Sequence, residues 1–224
     1  QFGQSHAFSR EQVAARVKQI CAAGFNGFRD AHQPHHLDYQ KYWDEKGILF
    51  WTQFSAHVWY DTPEFRENFK KLLRQWVKER RNSPSVVIWG LQNESTLPRE
   101  FAQECSEIIR EMDPTARTMR VITTCNGGEG TDWNVIQNWS GTYGGDVTEY
   151  GKELSRKNQL LNGEYGAWRS IGLHTEPGEF EVNGVWSEDR MCRLMETKIR
   201  LAEQARDSVC GQFQWIYSSH DNPG

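Results

Sequence analysis

The stretch S-P-S-V-V-I-W-G-L-Q-N-E-S-T at residues 83–96 decides the fold. Its middle part, residues 85–91, is almost continuously apolar and rich in β-branched residues, which is typical of a parallel strand buried on both faces. The run ends abruptly in Asn93 and Glu94. A chain that buries a strand and then places a carboxyl group at its tip offers that group to whatever binds beyond the strand.

A second stretch, L-L-N-G-E-Y-G-A-W at residues 160–168, repeats this pattern. It predicts a strand over residues 159–164 that ends in Glu164. Two carboxyl groups that flank a glycosidic bond can cleave it, and in the retaining mechanism they lie about 5–5.5 Å apart. A single glutamate after a strand is more often an ion-pair partner or a helix N-terminal residue than a catalyst. Glu94 and Glu164 together are candidates for a catalytic pair.

Apolar runs and helical patterns alternate along the whole chain. Strands are predicted at residues 25–29, 48–54, 85–91, 121–125, 133–139, 159–164 and 209–217. Helices are predicted at residues 9–23, 37–46, 62–81, 98–112 and 187–207, and glycine-rich loops at 126–130 and 141–145. This alternation predicts a parallel sheet with helices outside it. Seven strands in 224 residues fit an α/β fold, a (β/α)8 TIM barrel that lacks its first strand in this chain.

The position of the two glutamates fits this fold. In (β/α)8 barrels the active site lies at the C-terminal ends of the strands, where the βα loops meet. Glu94 and Glu164 are both predicted at such ends, on strands whose side chains can be directed at a common point.

Composition excludes several other classes. The net charge is −4 and charges of both signs are mixed along the chain, so no nucleic-acid-binding surface is expected. No run of 18 apolar residues is present, so no membrane span is expected. The five cysteines are scattered without a CxxC pair, which favours free thiols over disulfides. No GxGxxG motif follows a strand, which leaves a dinucleotide fold unsupported, and we expect no cofactor.

Aromatic residues are abundant, with 10 tryptophans, 7 tyrosines and 11 phenylalanines. Such rings can fill a large core. They can also line a sugar pocket, because the C–H faces of a pyranose pack on aromatic planes. Composition alone is compatible with both interpretations.

The segment R-N-S-P-S-V-V-I-W-G-L-Q-N-E-S at residues 81–95 closely resembles the acid/base signature of glycoside hydrolase family 2. This family includes β-galactosidases, β-glucuronidases and β-mannosidases. Further segments resemble the same catalytic domain in the same order, namely A-G-F-N-G-F-R-D-A-H-Q-P (23–34), D-E-K-G-I-L-F-W (44–51), G-E-Y-G-A (163–167) and G-Q-F-Q-W (211–215). The resemblance implies a barrel with the acid/base after strand four and the nucleophile after strand seven. One missing first strand brings these positions into agreement with the third and sixth predicted strands.

The resemblance also implies roles for single residues. Glu94 matches the acid/base and Glu164 matches the nucleophile. Asn93 matches an asparagine that bonds the sugar 2-hydroxyl, a contact that strengthens in the transition state. Arg29 matches an arginine near the nucleophile, which would help to keep that carboxylate ionised.

Three more matches concern the surroundings of the pair. His32 matches a family histidine near the site. Tyr143 matches, in a looser alignment, a tyrosine that bonds the nucleophile. Trp215 matches the strand-eight tryptophan that forms the floor of the sugar site. His57 lies just past the second predicted strand, where it either bonds a sugar hydroxyl or is a plain loop histidine.

Two departures from the family pattern matter. Thr52-Gln53 stands where metal-dependent members have an Asp-Glu pair, so no catalytic metal is expected. The histidines in H-Q-P-H-H at residues 32–36 lack a matching ligand set, which favours an ordinary loop over a metal site. The asparagine–lysine pattern with which β-glucuronidases hold a uronate carboxylate is not evident, which weakens that specificity without selecting another.

These observations favour a retaining exo-β-glycosidase, with β-galactosidase as the first expectation. A non-catalytic sugar-binding barrel, or an inactive fragment of such an enzyme, is the alternative. A metal-dependent hydrolase is a third possibility, which Thr52-Gln53 disfavours. We expect the partner to be a glycoside or oligosaccharide, and the barrel to be part of a longer chain with β-sandwich domains. Periplasmic, secreted and cytoplasmic locations are all compatible with the sequence.

Overall fold

The structure, a computed structural model, describes residues 8–155, 160–174 and 186–217. The strands are β1 Gly27–Arg29, β2 Leu49–Gln53, β3 Val86–Asn93, β4 Val121–Cys125, β5 Trp133–Gln137, β6 Leu160–Gly166 and β7 Val209–Trp215. The helices are α1 Arg10–Ala22, α2 Asp38–Lys46, α3 Pro63–Arg80, α4 Arg99–Met112, α5 Thr148–Ser155 and α6 Glu188–Gln204, with a 3-10 turn at Pro114–Arg117. The predicted alternation of strands and helices is confirmed in these residues.

The described chain forms two compact units, residues 8–134 and the described residues from 135 to 217. In the first unit β1 pairs with β2, β2 with β3 and β3 with β4, and every pair is parallel. In the second unit β6 pairs in parallel with both β5 and β7. Parallel neighbours need a crossover between them, and helices α2 to α6 supply it for these five pairs.

Several helices begin and end where the sequence predicts. Ser9 and Gln12 form the capping box at the start of α1. The Thr62 hydroxyl accepts the Phe65 N–H at the start of α3, and such a cap contributes about 1 kcal/mol to helix stability. Helix α2 ends at Gly47, whose φ of 69° lies in the left-handed region that favours glycine.

Two features differ from the sequence-based expectation. Strand β6 continues to Gly166, so Glu164 lies inside the strand rather than at its tip. Helix α5 was not predicted, because the glycines at residues 141–145 suggested a loop that continues. Its start is marked by Asp146, whose carboxylate accepts the Thr148 N–H at 2.8 Å. The predicted strand start at 159 and the C-terminal loop at 218–224 lie outside the described residues.

The core of the first unit is rich in tryptophan. Trp43, Trp76 and Trp89 are fully buried, and the rings of Trp76 and Trp89 meet edge to face with centroids 4.7 Å apart. The Trp89 indole N–H donates to Asp113 at 2.9 Å, which satisfies its one polar atom. The second unit has its own smaller core around Tyr150, formed by residues of α5, β6 and α6. Part of the aromatic content is therefore core.

Candidate active site

Asn93, the last residue of β3, is completely buried and held by an arginine. Arg29, at the end of β1, donates from Nη2 to the amide oxygen of Asn93 at 2.7 Å. The guanidinium lies over the Trp51 ring, 4.4 Å from its centroid. Trp51 in turn requires glycine at position 90, because a Cβ there would lie 2.6 Å from the indole nitrogen. The stack of side chains fixes the orientation of the Asn93 amide.

His32 joins this group as a neutral ring. Its Nδ1 lies 3.3 Å from Arg29 Nη2 and 3.3 Å from the Gln53 side-chain oxygen. Burial, and secondly the Arg29 charge, lowers the pKa of His32 to about 2. A guanidinium can only donate and an amide oxygen can only accept, so Nδ1 accepts from Arg29 in one tautomer of the neutral ring and donates to Gln53 in the other.

Asp30 fixes the end of strand β2 beside this cluster. Its carboxyl accepts the backbone N–H of Gln53 and, at 3.2 Å, the hydroxyl of Thr52. Burial raises the pKa of Asp30 well above its usual range, although Arg80 and the hydrogen bonds oppose this effect. Thr52 and Gln53, the departure from the metal-binding pattern, are therefore held by an internal acid.

Glu94 is the first residue after β3 and has an unusual backbone. Its φ is 47°, in the left-handed region, and its N–H donates to the Cys125 carbonyl at 2.9 Å. The side chain is 38% exposed, and its Oε2 lies 3.7 Å from Nδ1 of His57. The His57 N–H donates to the Asn93 carbonyl at 2.9 Å, so this loop is tied to the end of β3. Solvent and a ligand can both reach the Glu94 carboxyl.

Glu164 lies in β6 in the second unit and is almost fully buried. The neighbouring Tyr165 belongs to the core with Tyr150 of α5, their ring centroids 5.8 Å apart. Because successive side chains in a strand point to opposite faces, Glu164 faces away from the helix layer. A register shift against β7 between Asn162 and Tyr165 accompanies this arrangement.

Trp215, the last residue of β7, lies beside the strand that carries Glu164. It pairs with Gly166, where a Cβ would approach the Trp215 carbonyl oxygen to 2.1 Å. The same Cβ would lie 3.3 Å from the Trp139 ring. Gly166 therefore lets two tryptophans approach the strand two residues beyond Glu164.

Tyr143 lies in a loop whose backbone is hydrogen-bonded by side chains of helix α6. Its neighbour Thr142 donates to the Gly166 carbonyl at 2.6 Å. The buried Lys198 ammonium donates to the Thr142 hydroxyl at 2.6 Å and to the Gly166 carbonyl at 2.9 Å. Arg190 Nη2 donates to the carbonyls of Gly141 and Thr142 at 2.9 and 3.0 Å. The Tyr143 ring itself lies among tryptophan rings, with a side chain that is 59% exposed.

The structure thus gathers the predicted residues into two groups. Arg29, His32, Asn93, Glu94 and His57 lie together in the first unit, and their contacts have been given above. The second unit holds Glu164, Tyr143 and Trp215.

Sequence reasoning missed several residues of these groups, namely Trp51, Gln53, Trp139, Trp168, Arg190 and Lys198. The segment D-E-K-G-I-L-F-W that contains Trp51 and the departure at Gln53 were visible as motifs, but the contacts of these residues were not. Nothing in the periodicity of α6 distinguishes Lys198 from a surface lysine.

Among the residues that the structure describes, no group of three or more His, Cys, Asp and Glu side chains is placed to hold a metal ion. Within those same ranges no helix is long and apolar enough to cross a membrane.

Comparison with known protein families gives a match over most of the chain. The sequence model described as "Glycosyl hydrolases family 2, TIM barrel domain" matches residues 2–183. The match includes both Glu94 and Glu164 and runs through the boundary between the two units. The predicted (β/α)8 fold class is thereby confirmed.

The relatives with similar sequences include β-glucuronidases and β-galactosidases. A putative β-glucuronidase of Formosa agariphila is 25% identical over an alignment that covers 99% of this chain and 31% of the relative. A β-glucuronidase of Bacteroides fragilis is 27% identical over an alignment that covers 92% of this chain and 32% of that relative. The β-galactosidase of Thermoanaerobacterium thermosulfurigenes aligns with only 44% of this chain. The chain spans about a third of the length of the two β-glucuronidases it matches.

Solved structures agree in fold. The apo structure of Bacteroides uniformis β-glucuronidase 3 superposes with a TM-score of 0.79 at 22% identity, over 94% of this chain and 32% of that one. At this identity the similarity establishes the fold alone.

Proposed function

We propose, from the premise that this chain belongs to the TIM barrel domain family of glycoside hydrolase family 2, that it carries the catalytic carboxyl groups of a retaining exo-β-glycosidase. The observation that carries the proposal is the family match itself, which spans both glutamates and the segments around them. The Arg29–Asn93 pair beside Glu94 and the aromatic residues beside Glu164 support it.

In the proposed reaction Glu164 is the nucleophile and attacks the anomeric carbon, which forms a glycosyl ester. Glu94 donates a proton to the departing glycosidic oxygen. Once the leaving group has gone, Glu94 takes a proton from water, and the hydroxide equivalent cleaves the ester with net retention of configuration. The partial exposure of Glu94 suits a group that must exchange protons with both the leaving group and water.

Asn93 and Arg29 have supporting roles in this proposal. The Arg29 bond to the Asn93 amide oxygen, with Trp51 packed on the guanidinium, holds the amide in one orientation. A hydrogen-bonding group that is already oriented costs no reorganisation when charge develops on the sugar. We assign Asn93 to the sugar 2-hydroxyl, His32 and His57 to sugar hydroxyls, and Trp215 to the floor of the sugar site. Tyr143 stays a proposed partner of the nucleophile.

For the terminal sugar we propose a β-glucuronide first and a β-galactoside second. The relatives named β-glucuronidase align with almost the whole chain, whereas the β-galactosidase aligns with less than half of it. This order reverses the expectation from the sequence, which had favoured β-galactoside. The remaining length of the relatives fits the expected β-sandwich domains, and we propose that the barrel works beside such domains in its parent chain.

Hydrolysis of 4-nitrophenyl β-glycosides tests the proposal, with glucuronide, galactoside, glucoside and mannoside compared side by side. We expect the wild-type protein to hydrolyse one of them, and Glu164→Gln to lose turnover by several orders of magnitude while it stays folded. In Glu94→Ala the nitrophenolate leaves without much acid assistance, so the ester accumulates and added azide restores turnover. Full activity in Glu164→Gln would show that another residue is the nucleophile.

The same panel separates an enzyme from a sugar-binding domain. A binding domain would take up a sugar without hydrolysing any glycoside, and Glu164→Gln would leave that binding intact. Circular dichroism spectra of wild type and variants provide the control for folding.

A further inference from the structure

Strand β6 is held by polar side chains of two helices, one contact on each side of Glu164. Two residues before Glu164, the Asn162 amide nitrogen donates to the Tyr150 hydroxyl of α5 at 2.9 Å. Two residues after it, the Gly166 carbonyl accepts from the Lys198 ammonium of α6 at 2.9 Å. Lys198 Nζ lies 5.4 Å from the centroid of the Tyr150 ring, so the two contacts are neighbours. The proposed nucleophile lies between them.

These two contacts enclose the part of β6 that is paired irregularly. The register of β6 against β7 shifts between Asn162 and Tyr165, which are the residues on either side of Gly163 and Glu164. Where the register of two strands shifts, the ladder of backbone hydrogen bonds is locally disrupted. The backbone around Glu164 therefore depends on side-chain contacts more than a regular strand does.

The Lys198 contact also includes the loop that carries Tyr143. The ammonium donates to the Thr142 hydroxyl at 2.6 Å, and that hydroxyl donates to the Gly166 carbonyl at 2.6 Å. Together with the bond from Lys198 to Gly166, these contacts form a closed triangle of hydrogen bonds. One buried ammonium thus joins the end of the Glu164 strand to the residue that precedes Tyr143.

Stability alone does not account for a lysine at this position. Lys198 is fully inaccessible, and Arg190 on the same helix is almost fully buried. Among the residues that the structure describes, neither cation forms an ion pair with a carboxylate. Burial of an unpaired ammonium is costly, and an apolar side chain of similar size would pack here without that cost. What the lysine adds is the pair of hydrogen bonds to the strand end and to the loop.

We propose that Lys198 is a positioning residue for Glu164 and acts through the Gly166 carbonyl and the Thr142 hydroxyl. The inference rests on the proposed function, in which Glu164 attacks the anomeric carbon. A displacement of about 1 Å that is caused by a distant substitution can slow such a step about 100-fold. Lys198 is inaccessible to a sugar, so its loss should slow the attack by Glu164 far more than it weakens sugar binding.

The test measures the attack by Glu164 directly. The probe is the 2-deoxy-2-fluoro-β-glycosyl fluoride of the sugar that the wild-type protein hydrolyses, which traps the glycosyl ester on the nucleophile. Fluoride departs with little acid assistance, so the labelling rate depends on Glu164 rather than on Glu94. In Lys198→Met the maximal labelling rate should fall about 100-fold, with a much smaller change in the probe concentration that gives half of this rate.

The hydroxyl of Thr142 provides a second and milder test of the same triangle. Thr142→Val removes the hydroxyl and keeps the shape of the side chain, so labelling should slow in the same direction but less than in Lys198→Met. Thr142→Ser keeps the hydroxyl and should recover most of the loss. This pair decides the question if Lys198→Met does not fold.

The matched control is Lys152→Met, the same change at a lysine of α5 whose side chain is 58% exposed. It should be labelled at the wild-type rate. Labelling of folded Lys198→Met at the wild-type rate would overturn the proposal, and so would equal losses in Thr142→Val and Thr142→Ser.

A wild-type protein that neither hydrolyses a glycoside nor becomes labelled would show that the proposed function fails. Amide hydrogen exchange, followed by mass spectrometry, then tests the anchoring of the strand by Lys198 alone. Lys198→Met should speed the exchange of residues 160–166 and leave that of residues 49–53 in the first unit as in wild type. Unchanged exchange at 160–166 would refute the anchoring.

Discussion

At the scale of single residues, Arg29 connects a strand end to the proposed sugar-binding amide. It donates to Asn93 and lies over Trp51, so both its charge and its plane are used. A lysine at this position would keep the charge but lose the stacking and the fixed fork of donors. We expect Arg29→Lys to lower kcat/KM for the best nitrophenyl glycoside by one to two orders of magnitude.

A double-mutant cycle with Asn93→Ala shows whether Arg29 acts through Asn93. Residues that act through a direct contact have coupling energies of about 0.5–3 kcal/mol, so the double variant should be less impaired than the product of the two single effects. Strictly multiplicative losses would mean that Arg29 acts elsewhere. Thermal unfolding of all three variants separates this result from a loss of folded protein.

The residues that the sequence predicted best are those next to strand ends. Asn93 and Glu94 could be placed because an apolar run stops just before them, and Arg29 because it ends a short strand. Trp51 and Gln53 touch Arg29 and His32 from a neighbouring strand. Such contacts depend on strand register, which the alternation of a single strand does not specify.

At the scale of elements, helix α6 buries a lysine. Lys198 is fully inaccessible, lies 5.4 Å from the centroid of the Tyr150 ring and has Arg190 on the same helix. Burial, and secondly the charge of Arg190, lowers the pKa of Lys198 to about 7. In the unfolded chain a lysine has a pKa of about 10.4. Between these two values the unfolded state binds more protons than the folded state, so stability rises with pH.

Lys198→Met should remove this dependence. We expect the free energy of unfolding of the wild type, measured in urea from pH 6.5 to pH 10, to rise relative to that of the variant. Subtracting the two curves cancels the other groups that titrate in this range. A difference that stays flat across the range would mean that Lys198 has an ordinary pKa in the folded protein.

Helix α5 and the end of strand β6 are the elements that the sequence did not predict correctly. The glycines at residues 141–145 are compatible with a long loop. The start of α5 after them is marked by Asp146, whose carboxylate accepts the Thr148 N–H, and a single residue of this kind is a weak sequence signal. Strand β6 continues past Glu164 because Tyr165 and Gly166 pair with β7. A pattern that looks for a carboxylate at the end of an apolar run places the boundary too early.

At the scale of the whole molecule, the reactivity of the cysteine thiols measures whether the protein is folded. The five cysteines, all within the described residues, form no disulfide with one another; Cys105 and Cys125 are buried, and Cys192 and Cys210 are exposed. Burial raises the pKa of Cys105 to about 12, and burial also raises that of Cys210. Since the thiolate is the reactive form, a disulfide reagent should modify Cys192 first, Cys210 more slowly, and Cys105 and Cys125 only after denaturation.

Thiol titration in native buffer and in guanidinium chloride measures this order, with peptide mapping to locate the label. The denatured protein should react at all five positions. Rapid modification of Cys105 in native buffer would contradict the burial of that residue.

The fold class could be predicted from the whole sequence because apolar runs and helical patterns alternate along most of the chain, in seven predicted strands and five predicted helices. Each repeat adds the same constraint, so a misplaced boundary, as at Glu164, does not change the class. The aromatic rings around Tyr143 offer no such repetition. Trp139 is near Tyr143 in the sequence, but Trp168 and Trp186 are distant, and the pairing of β5 with β6 and the loop hydrogen bonds bring them close.

The left-handed backbone of Glu94 has a consequence for the history of such a domain. A residue other than glycine costs about 1–2 kcal/mol in this conformation, and asparagine tolerates it better than glutamate does. Replacement of Glu94 by glycine or asparagine therefore relieves strain while it removes the proposed acid. In a lineage where hydrolysis no longer contributes to fitness, drift at this position runs toward a more stable and inactive protein. Selection for turnover is then the force that retains a glutamate there.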